Sequence, residues 1–328
     1  MGLRANYVVV QGGTWTLHTS HWGGHRVATD LAHGPASALR CFRANPEIGA
    51  DLRTTPGGWL DDVWCEGAAL VDTDRRVVLW FSGEADHWAQ QAARRAVLER
   101  AWAGWEVRWA FDGIGDLHAY LGLGRGFVRG PGFRETRPPY WWGQGGEVGT
   151  VLTVCGPDGA VRVWGSGYEV DEELSGGPGL LDLLPYGTPP PELAAMPNGG
   201  LHFDPATRTL GVWTVRTAPG IRDWPLPGWE GWRLDFWGAD HLRHVALAGG
   251  GLRFPDVDLR PELDRWRRHM GDPPLDPVAL LELAHRPPHP TDDATVVINP
   301  LAYVRHAGAE PTDAERAALA AVFAALLA

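Results

Sequence analysis

The sequence predicts an α+β protein. It consists of two tandem duplicated halves, each an antiparallel sheet with helix cover, followed by a mainly helical C-terminal segment. Three observations carry this prediction. Strand–turn–strand segments recur in the same order along the chain, a strand that begins at a pair of tryptophans recurs after them, and the last residues form a capped, apolar helix.

The repeated hairpins are the clearest elements. Residues 67–80 contain an apolar strand, a short turn that begins at Asp72 and a second apolar strand. Residues 199–213 repeat this pattern with a turn that begins at Asp204. Upstream, residues 7–18 resemble residues 151–164, with a glycine-containing turn between two apolar runs. Each pair of runs is typical of a β-hairpin.

Two further segments match between the halves. Residues 102–109 and 229–236 each begin with two tryptophans three positions apart, and apolar side chains then follow at every second position, the period of a half-buried strand. Pro35 and Pro178 each follow a glycine and open an apolar segment. Proline is tolerated at the first helical position because its missing N–H would be unpaired there. We therefore place the two halves at residues 5–122 and 148–249.

The domain organisation follows from these matches. Residues 1–122 form the first α+β repeat, residues 123–147 a linker rich in Gly, Pro and aromatics, and residues 148–249 the second repeat. Residues 250–328 form a helical segment. Its last helix opens at a capping box, Thr312 with Glu315, and residues 317–328 are all apolar. We expect this helix to be buried on every side, within the protein or at a homodimer interface.

Composition excludes several functions. The 328 residues include 29 basic residues, all arginine, and carry a net charge of −11. The absence of lysine excludes Schiff-base and pyridoxal chemistry and a Walker A loop. The negative charge disfavours nucleic acid and anionic membranes as partners. Three widely spaced cysteines form no C-x-x-C motif, and no signal-peptide core or long apolar run occurs, so we expect a cytoplasmic protein.

One segment suggests catalysis. Asp61 and Asp62 lie between Trp59 and Trp64, and Glu66 follows. Neighbouring carboxylates can have separated pKa values, as acid–base hydrolysis requires, and a sugar could stack on Trp59 or Trp64. The alternative for the two aspartates is turn and cap chemistry. If the protein is a hydrolase, the candidate catalytic residues are Asp61, Asp62, Glu66 and His21.

Histidines and a further pair of tryptophans are the remaining candidates. The patch His18, His21, His25 and His33 could bind zinc or a related metal, but ordinary hydrogen-bonded histidines are the alternative. Asp240, His241 and His244 are interpreted as a polar helix face. Trp141 and Trp142 in the linker suit sugar stacking, peptide recognition or an interdomain plug. The sequence assigns no cofactor.

Residues 5–10, 20–23, 59–67 and 102–109 together resemble an uncharacterised Trp-rich protein family of GC-rich bacteria. The resemblance covers the first half and implies no activity, so no site residue is transferred from it. From the residues alone we predict a cytoplasmic binding or interaction protein whose partner is a protein or a small molecule. The competing hypothesis is a hydrolase with paired carboxylates, acting on a saccharide or nucleotide-like substrate with or without metal assistance.

Overall fold

The structure, a computed structural model, describes residues 3–83, 87–129, 148–185, 193–270 and 310–328. The chain forms two compact units. The first contains residues 1–84, 93–109 and 260–328, and the second contains residues 85–92 and 110–259. Within the described ranges, every helix is either too short or too polar to span a lipid bilayer.

The first unit contains a six-stranded sheet with the order β3-β2-β1-β4-β5-β6. Its strands are β1 (Ala5–Gln11), β2 (Thr14–Ser20), β3 (Glu47–Ile48), β4 (Gly67–Asp72), β5 (Val77–Ser82) and β6 (Glu106–Trp109). The second unit contains a five-stranded sheet with the order β8-β7-β9-β10-β11. Its strands are β7 (Thr150–Cys155), β8 (Val161–Ser166), β9 (Gly199–Asp204), β10 (Thr209–Thr214) and β11 (Arg233–Phe236).

Eight α-helices occur in the described part of the chain. They are α1 (Val27–Ala32), α2 (Pro35–Ala44), α3 (Trp88–Ala101), α4 (Ile114–Tyr120), α5 (Val170–Ser175), α6 (His241–Leu247), α7 (Arg260–His269) and α8 (Asp313–Leu327). Three short 3₁₀ helices cover Pro56–Gly58, Arg125–Phe127 and Pro178–Leu183. The predicted class, α+β with two similar sheet halves and a C-terminal helix, is confirmed.

The two sheets share one topology. Strands β2-β1-β4-β5-β6 of the first sheet correspond to β8-β7-β9-β10-β11 of the second, and β3 is an addition to the first. The hairpins are antiparallel, as predicted. However, β1 pairs in parallel with β4, and β7 with β9. Strand β6 also pairs in parallel with β5, and β11 with β10, so both sheets are mixed. The long connections with helices allow this, because a parallel pairing needs a crossover of about a dozen residues.

Equivalent turns have the same construction in both sheets. The Asp72 carboxylate accepts two backbone N–H groups of its turn at 2.9 Å, and the Asp204 carboxylate accepts two at 3.0 and 3.2 Å. Each turn ends at an arginine with positive φ, 55° at Arg76 and 50° at Arg208. Both aspartates therefore serve turn geometry, which is a common use of this side chain.

The tryptophan motif also has the same role in each unit. Trp102 and Trp229 are fully buried. Trp102 donates its indole N–H to the Leu31 carbonyl of α1 at 2.8 Å, and Trp229 donates its indole N–H to the Leu174 carbonyl of α5 at 2.7 Å. The sequence match between Trp80 and Trp213 is shifted by one residue relative to the strand pairing. The pairing places Trp80 level with Val212 of the second sheet, so Trp80 and Trp213 point to opposite faces of their sheets.

The C-terminal helix is capped as predicted but is not buried on every side. Thr312 and Glu315 bond each other's backbone N–H. Only Leu319 and Phe323 are buried in this helix, and Phe323 packs against Trp266 of α7 at 5.8 Å between ring centroids. The exposed positions are mainly alanines, which are apolar in a count of residues but small, and which favour a helix in water. The expectation that the helix is buried on every side within the protein is wrong for this reason, and its burial at a homodimer interface stays a prediction.

Candidate functional site

One end of the first sheet brings together several residues that were predicted to form a site. Leu3 donates its N–H to the carbonyl of His21 at 3.1 Å, and Arg4 donates its N–H to the Glu66 carboxylate at 2.6 Å. Glu66 donates its own N–H back to the Arg4 carbonyl at 3.0 Å. The segment before β1 thus links the end of β2 to the start of β4. We call this region the strand-end surface, and it consists of Leu3, Arg4, His21, Trp22, Trp64 and Glu66.

Two carboxylates of this region, those of Asp61 and Glu66, accept backbone N–H groups. Asp61 Oδ1 accepts the N–H of Val63 at 3.0 Å and that of Trp64 at 2.9 Å, which is the geometry of a capped turn. Asp62 lies half-buried beside it. The Glu66 carboxylate holds Arg4, as described above. This arrangement positions Trp64 and orders the N-terminal segment.

The two tryptophans that flank the aspartates differ in exposure. Trp59 is 7% exposed, donates its indole N–H to the Arg53 carbonyl at 2.7 Å and packs against Trp15. Trp64 is 55% exposed, and the Arg4 guanidinium carbon lies 4.6 Å from the centroid of its ring. A stacked guanidinium restrains an exposed indole by a cation–π contact. Trp141 and Trp142, also predicted to bind, lie outside the described residues.

Two histidines of the predicted patch, His18 and His33, contact backbone carbonyls through their rings. His18 Nδ1 lies 3.0 Å from the Asn45 carbonyl and therefore donates to it, which leaves Nε2 to accept from the Thr16 hydroxyl at 3.1 Å. His33 contacts the Thr29 carbonyl at 3.3 Å. Across the part of the chain that the structure describes, no three His, Cys, Asp or Glu side chains are grouped as metal ligands would be.

Cys65 follows Trp64 and is buried. Its thiol donates to the Gly67 carbonyl at 3.3 Å, and burial raises the pKa of this thiol to about 12. Because the thiolate is the nucleophilic form, this environment suppresses reactivity.

We expect Cys65 to resist alkylation in the folded protein. Because the pKa of Cys65 rises from 9.0 to about 12, its thiolate fraction at pH 8 is about 1,000-fold lower than that of an ordinary cysteine. Iodoacetamide labelling followed by peptide mass spectrometry should modify the half-buried Cys155 before Cys65, and the unfolded chain should label at both positions. Labelling of native Cys65 at the rate of a free thiol would contradict the burial and the raised pKa.

Each unit also buries one carboxylate at the same helical position. Asp30 is the fourth residue of α1 and Glu173 the fourth of α5. The Tyr7 hydroxyl donates to Asp30 at 3.1 Å, and the Ser166 hydroxyl donates to Glu173. Burial, and secondarily the Asp30 charge, raise the pKa of Tyr7 well above its ordinary value. These acids tie a short helix to a strand in each half, and Asp30 also pairs with Arg26 at 3.3 Å.

The second unit contains a buried polar network that the sequence did not predict. His244 of α6 is fully buried, and its Nε2 lies 2.6 Å from the Thr153 hydroxyl of β7. Its Nδ1 lies 3.0 Å from the indole nitrogen of Trp213 in β10. The same Thr153 hydroxyl lies 2.8 Å from Nδ1 of His202 in β9. Three strands and one helix therefore meet in this network.

Elementary donor and acceptor rules fix its protons. The Trp213 indole can only donate, so Nδ1 of His244 accepts and its Nε2 carries the proton. That Nε2–H donates to the Thr153 oxygen. The Thr153 proton has two acceptors, the Leu201 carbonyl at 3.5 Å and Nδ1 of His202 at 2.8 Å, and we assign it to the shorter contact. Both imidazoles are neutral in this arrangement. Burial lowers the pKa of His244 to about 3, and it also lowers that of His202.

The equivalent layer of the first sheet is apolar. Matching the strand registers places three buried residues of the first sheet level with Thr153, His202 and Trp213, and these are Val8, Leu70 and Phe81. Gly200 stands where the first sheet has Ala68. A Cβ atom at Gly200 would lie 2.4 Å from the Trp213 indole nitrogen and 2.5 Å from Nδ1 of His244. The fold alone therefore does not require polar side chains here.

The interpretation of His244 as part of a polar, solvated helix face is wrong. His244 shares α6 with exposed residues, but it points into the protein because the missing side chain of Gly200 makes room for its ring. The available signal was the glycine pair that opens β9 together with a histidine two residues later, since glycine within a strand often marks close approach. Both nitrogens of His244 are engaged, so neither is left for a metal ion.

The fold and these contacts define an α+β protein with two similar mixed sheets, an aromatic surface at one strand end and a buried histidine network. No protein-family model, curated protein or solved structure matches the chain. The resemblance to a Trp-rich bacterial family therefore stays a prediction.

Proposed function

We propose that the chain is a cytoplasmic binding protein that uses the strand-end surface to contact a protein or a small-molecule ligand. The observation that carries the proposal is the 55% exposure of Trp64 beneath the Arg4 guanidinium. Tryptophan and arginine are the side chains most enriched at binding hot spots. A restrained indole also loses little conformational entropy when a ligand covers it.

The bonding of the carboxylates supports binding over hydrolysis. A general acid or base must reach the proton that it transfers. One carboxylate oxygen of Asp61 and one of Glu66 are occupied by backbone N–H groups at 2.6–3.0 Å. Cys65, which could serve as a nucleophile, has a raised pKa. These groups are better suited to hold Trp64 and Arg4 in place than to catalyse a reaction.

We also infer that the two halves arose by tandem duplication. The shared strand order, the two aspartate turns with a positive-φ arginine and the two buried tryptophans that bond a short helix support this origin. A homodimer contact through α8 stays a prediction, which sedimentation of the intact chain over a range of concentrations would test.

We expect Trp64→Ala to abolish binding without affecting folding. Wild type, Trp64→Ala and the matched control Leu52→Ala, which removes a side chain of similar exposure (50%), would be immobilised and incubated with lysate of the native host. Bound proteins and extracted small molecules would be quantified by mass spectrometry. At least a tenfold lower recovery of the retained species is expected for Trp64→Ala alone. Equal recovery from all three proteins would refute the proposed surface.

A substrate screen tests the competing hypothesis that the protein is a hydrolase. Wild type would be assayed on saccharide and nucleotide-like substrates with and without divalent metal. Asp61→Asn and Asp62→Asn are the test variants. Turnover that is lost in either variant while its free energy of unfolding is unchanged would favour the hydrolase.

A further inference from the structure

Helix α6 is attached to the second sheet through a contact that depends on proton positions. His244 is the only fully buried residue of this seven-residue helix, and its ring bonds Thr153 on β7 and Trp213 on β10. Its ring also lies 5.8 Å from that of Trp237. Leu242 and Leu247 of the same helix are 66% and 44% exposed, so they contribute little to its attachment.

Protonation is incompatible with this contact. A proton added to Nδ1 of His244 would face the N–H of Trp213, so an acceptor–donor pair would become two opposed donors. A proton added to Nδ1 of His202 would displace the Thr153 hydroxyl proton, whose remaining acceptor is the Leu201 carbonyl at 3.5 Å, a long contact. A charge on His202 would also lie beside His244, with ring centroids 5.9 Å apart.

We propose that the His244–Thr153–His202 network is a proton-sensitive latch that holds α6 on the second sheet while both imidazoles are neutral and releases it when they become charged. The proposal does not depend on the proposed binding surface, which belongs to the first unit. The apolar layer at the equivalent strand positions of the first sheet supports it, because a layer that only packs is built there without titratable groups.

Among the described residues that contact His244, none carries a charge that would compensate an imidazolium there. From β9 the facing titratable group is His202, and β7 and β10 present Thr153 and Trp213, which do not titrate in this range. On α6 itself, His241 is packed among Trp213, Phe254 and Trp88. Asp240 caps the helix through the Arg243 N–H, and the Arg243 side chain pairs with Asp235. Asp204, the last residue of β9, partly offsets the lowering of the His202 pKa by burial.

The direction of the pH effect follows from the lowered pKa of His244. The latch contributes its full stability above the ordinary histidine pKa of 6.5 and loses it as the pH falls toward about 3. If the released helix lets His244 titrate normally, acidification from pH 7.5 to 4.5 raises the opening constant of α6 about 100-fold. Titration of His202 in the released state adds to this factor.

Two measurements on the intact chain test the latch. Nitrogen-15 spectra of the histidine rings of the wild type report tautomer and charge directly, and they should show His244 neutral with its proton on Nε2 down to pH 4.5. Amide hydrogen exchange, corrected for intrinsic rate, should show the 100-fold increase in α6 and little change in α1 of the first unit. An Nδ1–H tautomer for His244, or titration of its folded-state ring near 6.5, would overturn the proposal.

A variant separates the latch from general acid sensitivity. Thr153→Val/His202→Leu/His244→Leu places at the two strand positions the residues that the first sheet has there. It should make exchange in α6 nearly independent of pH. An acid response in this variant equal to that of wild type would also overturn the proposal, and if the variant does not fold, the wild-type ring spectra decide the question alone.

Discussion

Replacing Trp229 by alanine is expected to lower the free energy of unfolding of the second unit by about 3–5 kcal/mol, the range for a buried tryptophan lost from a core. Trp229 is fully buried, and its ring packs 6.1 Å from Phe203 and 5.6 Å from Trp232 between centroids. Its indole N–H also satisfies the Leu174 carbonyl at the end of α5. The substitution therefore removes packing and one of the hydrogen bonds that the Leu174 carbonyl accepts, while the bond from the Gly177 N–H at 3.2 Å remains.

Hydrogen exchange of the amides in each sheet, measured over a range of denaturant concentrations, would give the free energy of unfolding of each unit. Trp229→Phe keeps an aromatic ring but not the N–H, so it should cost less, about 0.5–1.5 kcal/mol for one lost hydrogen bond. Trp102→Ala should have an effect of similar size on the first unit, because Trp102 has the same burial and the same kind of bond to Leu31. The exposed Trp64→Ala is the control and should stay within about 0.5 kcal/mol of wild type. A loss below about 1 kcal/mol for Trp229→Ala would contradict the role given to its burial.

The equivalence of Trp102 and Trp229 was predictable because both precede a strand with alternating apolar side chains. Local spacing carries this information. The hairpins were predictable for the same reason, since each closes at a short turn beginning at Asp72 or Asp204. The parallel joins between hairpins were not, because they depend on where a long crossover returns the chain. No local pattern near β1 and β4 predicts that these two strands become neighbours.

The candidate site divides in the same way. The aspartate pair, Glu66 and Trp64 were found by sequence, because carboxylates beside tryptophans are conspicuous in a local window. The exposure of Trp64 and the burial of Trp59 were not predictable, since these side chains contact Arg4 and Trp15, which lie far away in the sequence. The histidine network was missed for a similar reason. Its members come from β7, β9, β10 and α6, and only their assembly in the fold reveals them.

Gly211→Ala is expected to destabilise the second unit by about 1–3 kcal/mol or more, the usual cost of forcing extra volume into a packed core. A Cβ atom at Gly211 would lie 1.9 Å from Cζ2 and 2.2 Å from Cη2 of Trp237, so the indole rests directly on the strand backbone. Trp237 is only 8% exposed. Its ring cannot move away without disturbing His202 and His244, with which it is in contact at 6.3 and 5.8 Å between centroids.

Gly179→Ala provides the matched control in the same unit, because its Cβ would meet no atom within 4 Å and its backbone φ is ordinary. It should change the free energy of unfolding by less than about 0.5 kcal/mol. Gly200→Ala adds the informative comparison, since alanine already occupies the equivalent position, Ala68, in the first sheet. If Gly200→Ala lowers the free energy of unfolding about as much as Gly211→Ala does, the second unit needs both glycines because bulky rings pack directly against its strands. If Gly200→Ala and Gly211→Ala unfold like wild type, the close contacts of Trp213, Trp237 and His244 with the strands are incorrect, and the latch that depends on them is incorrect as well.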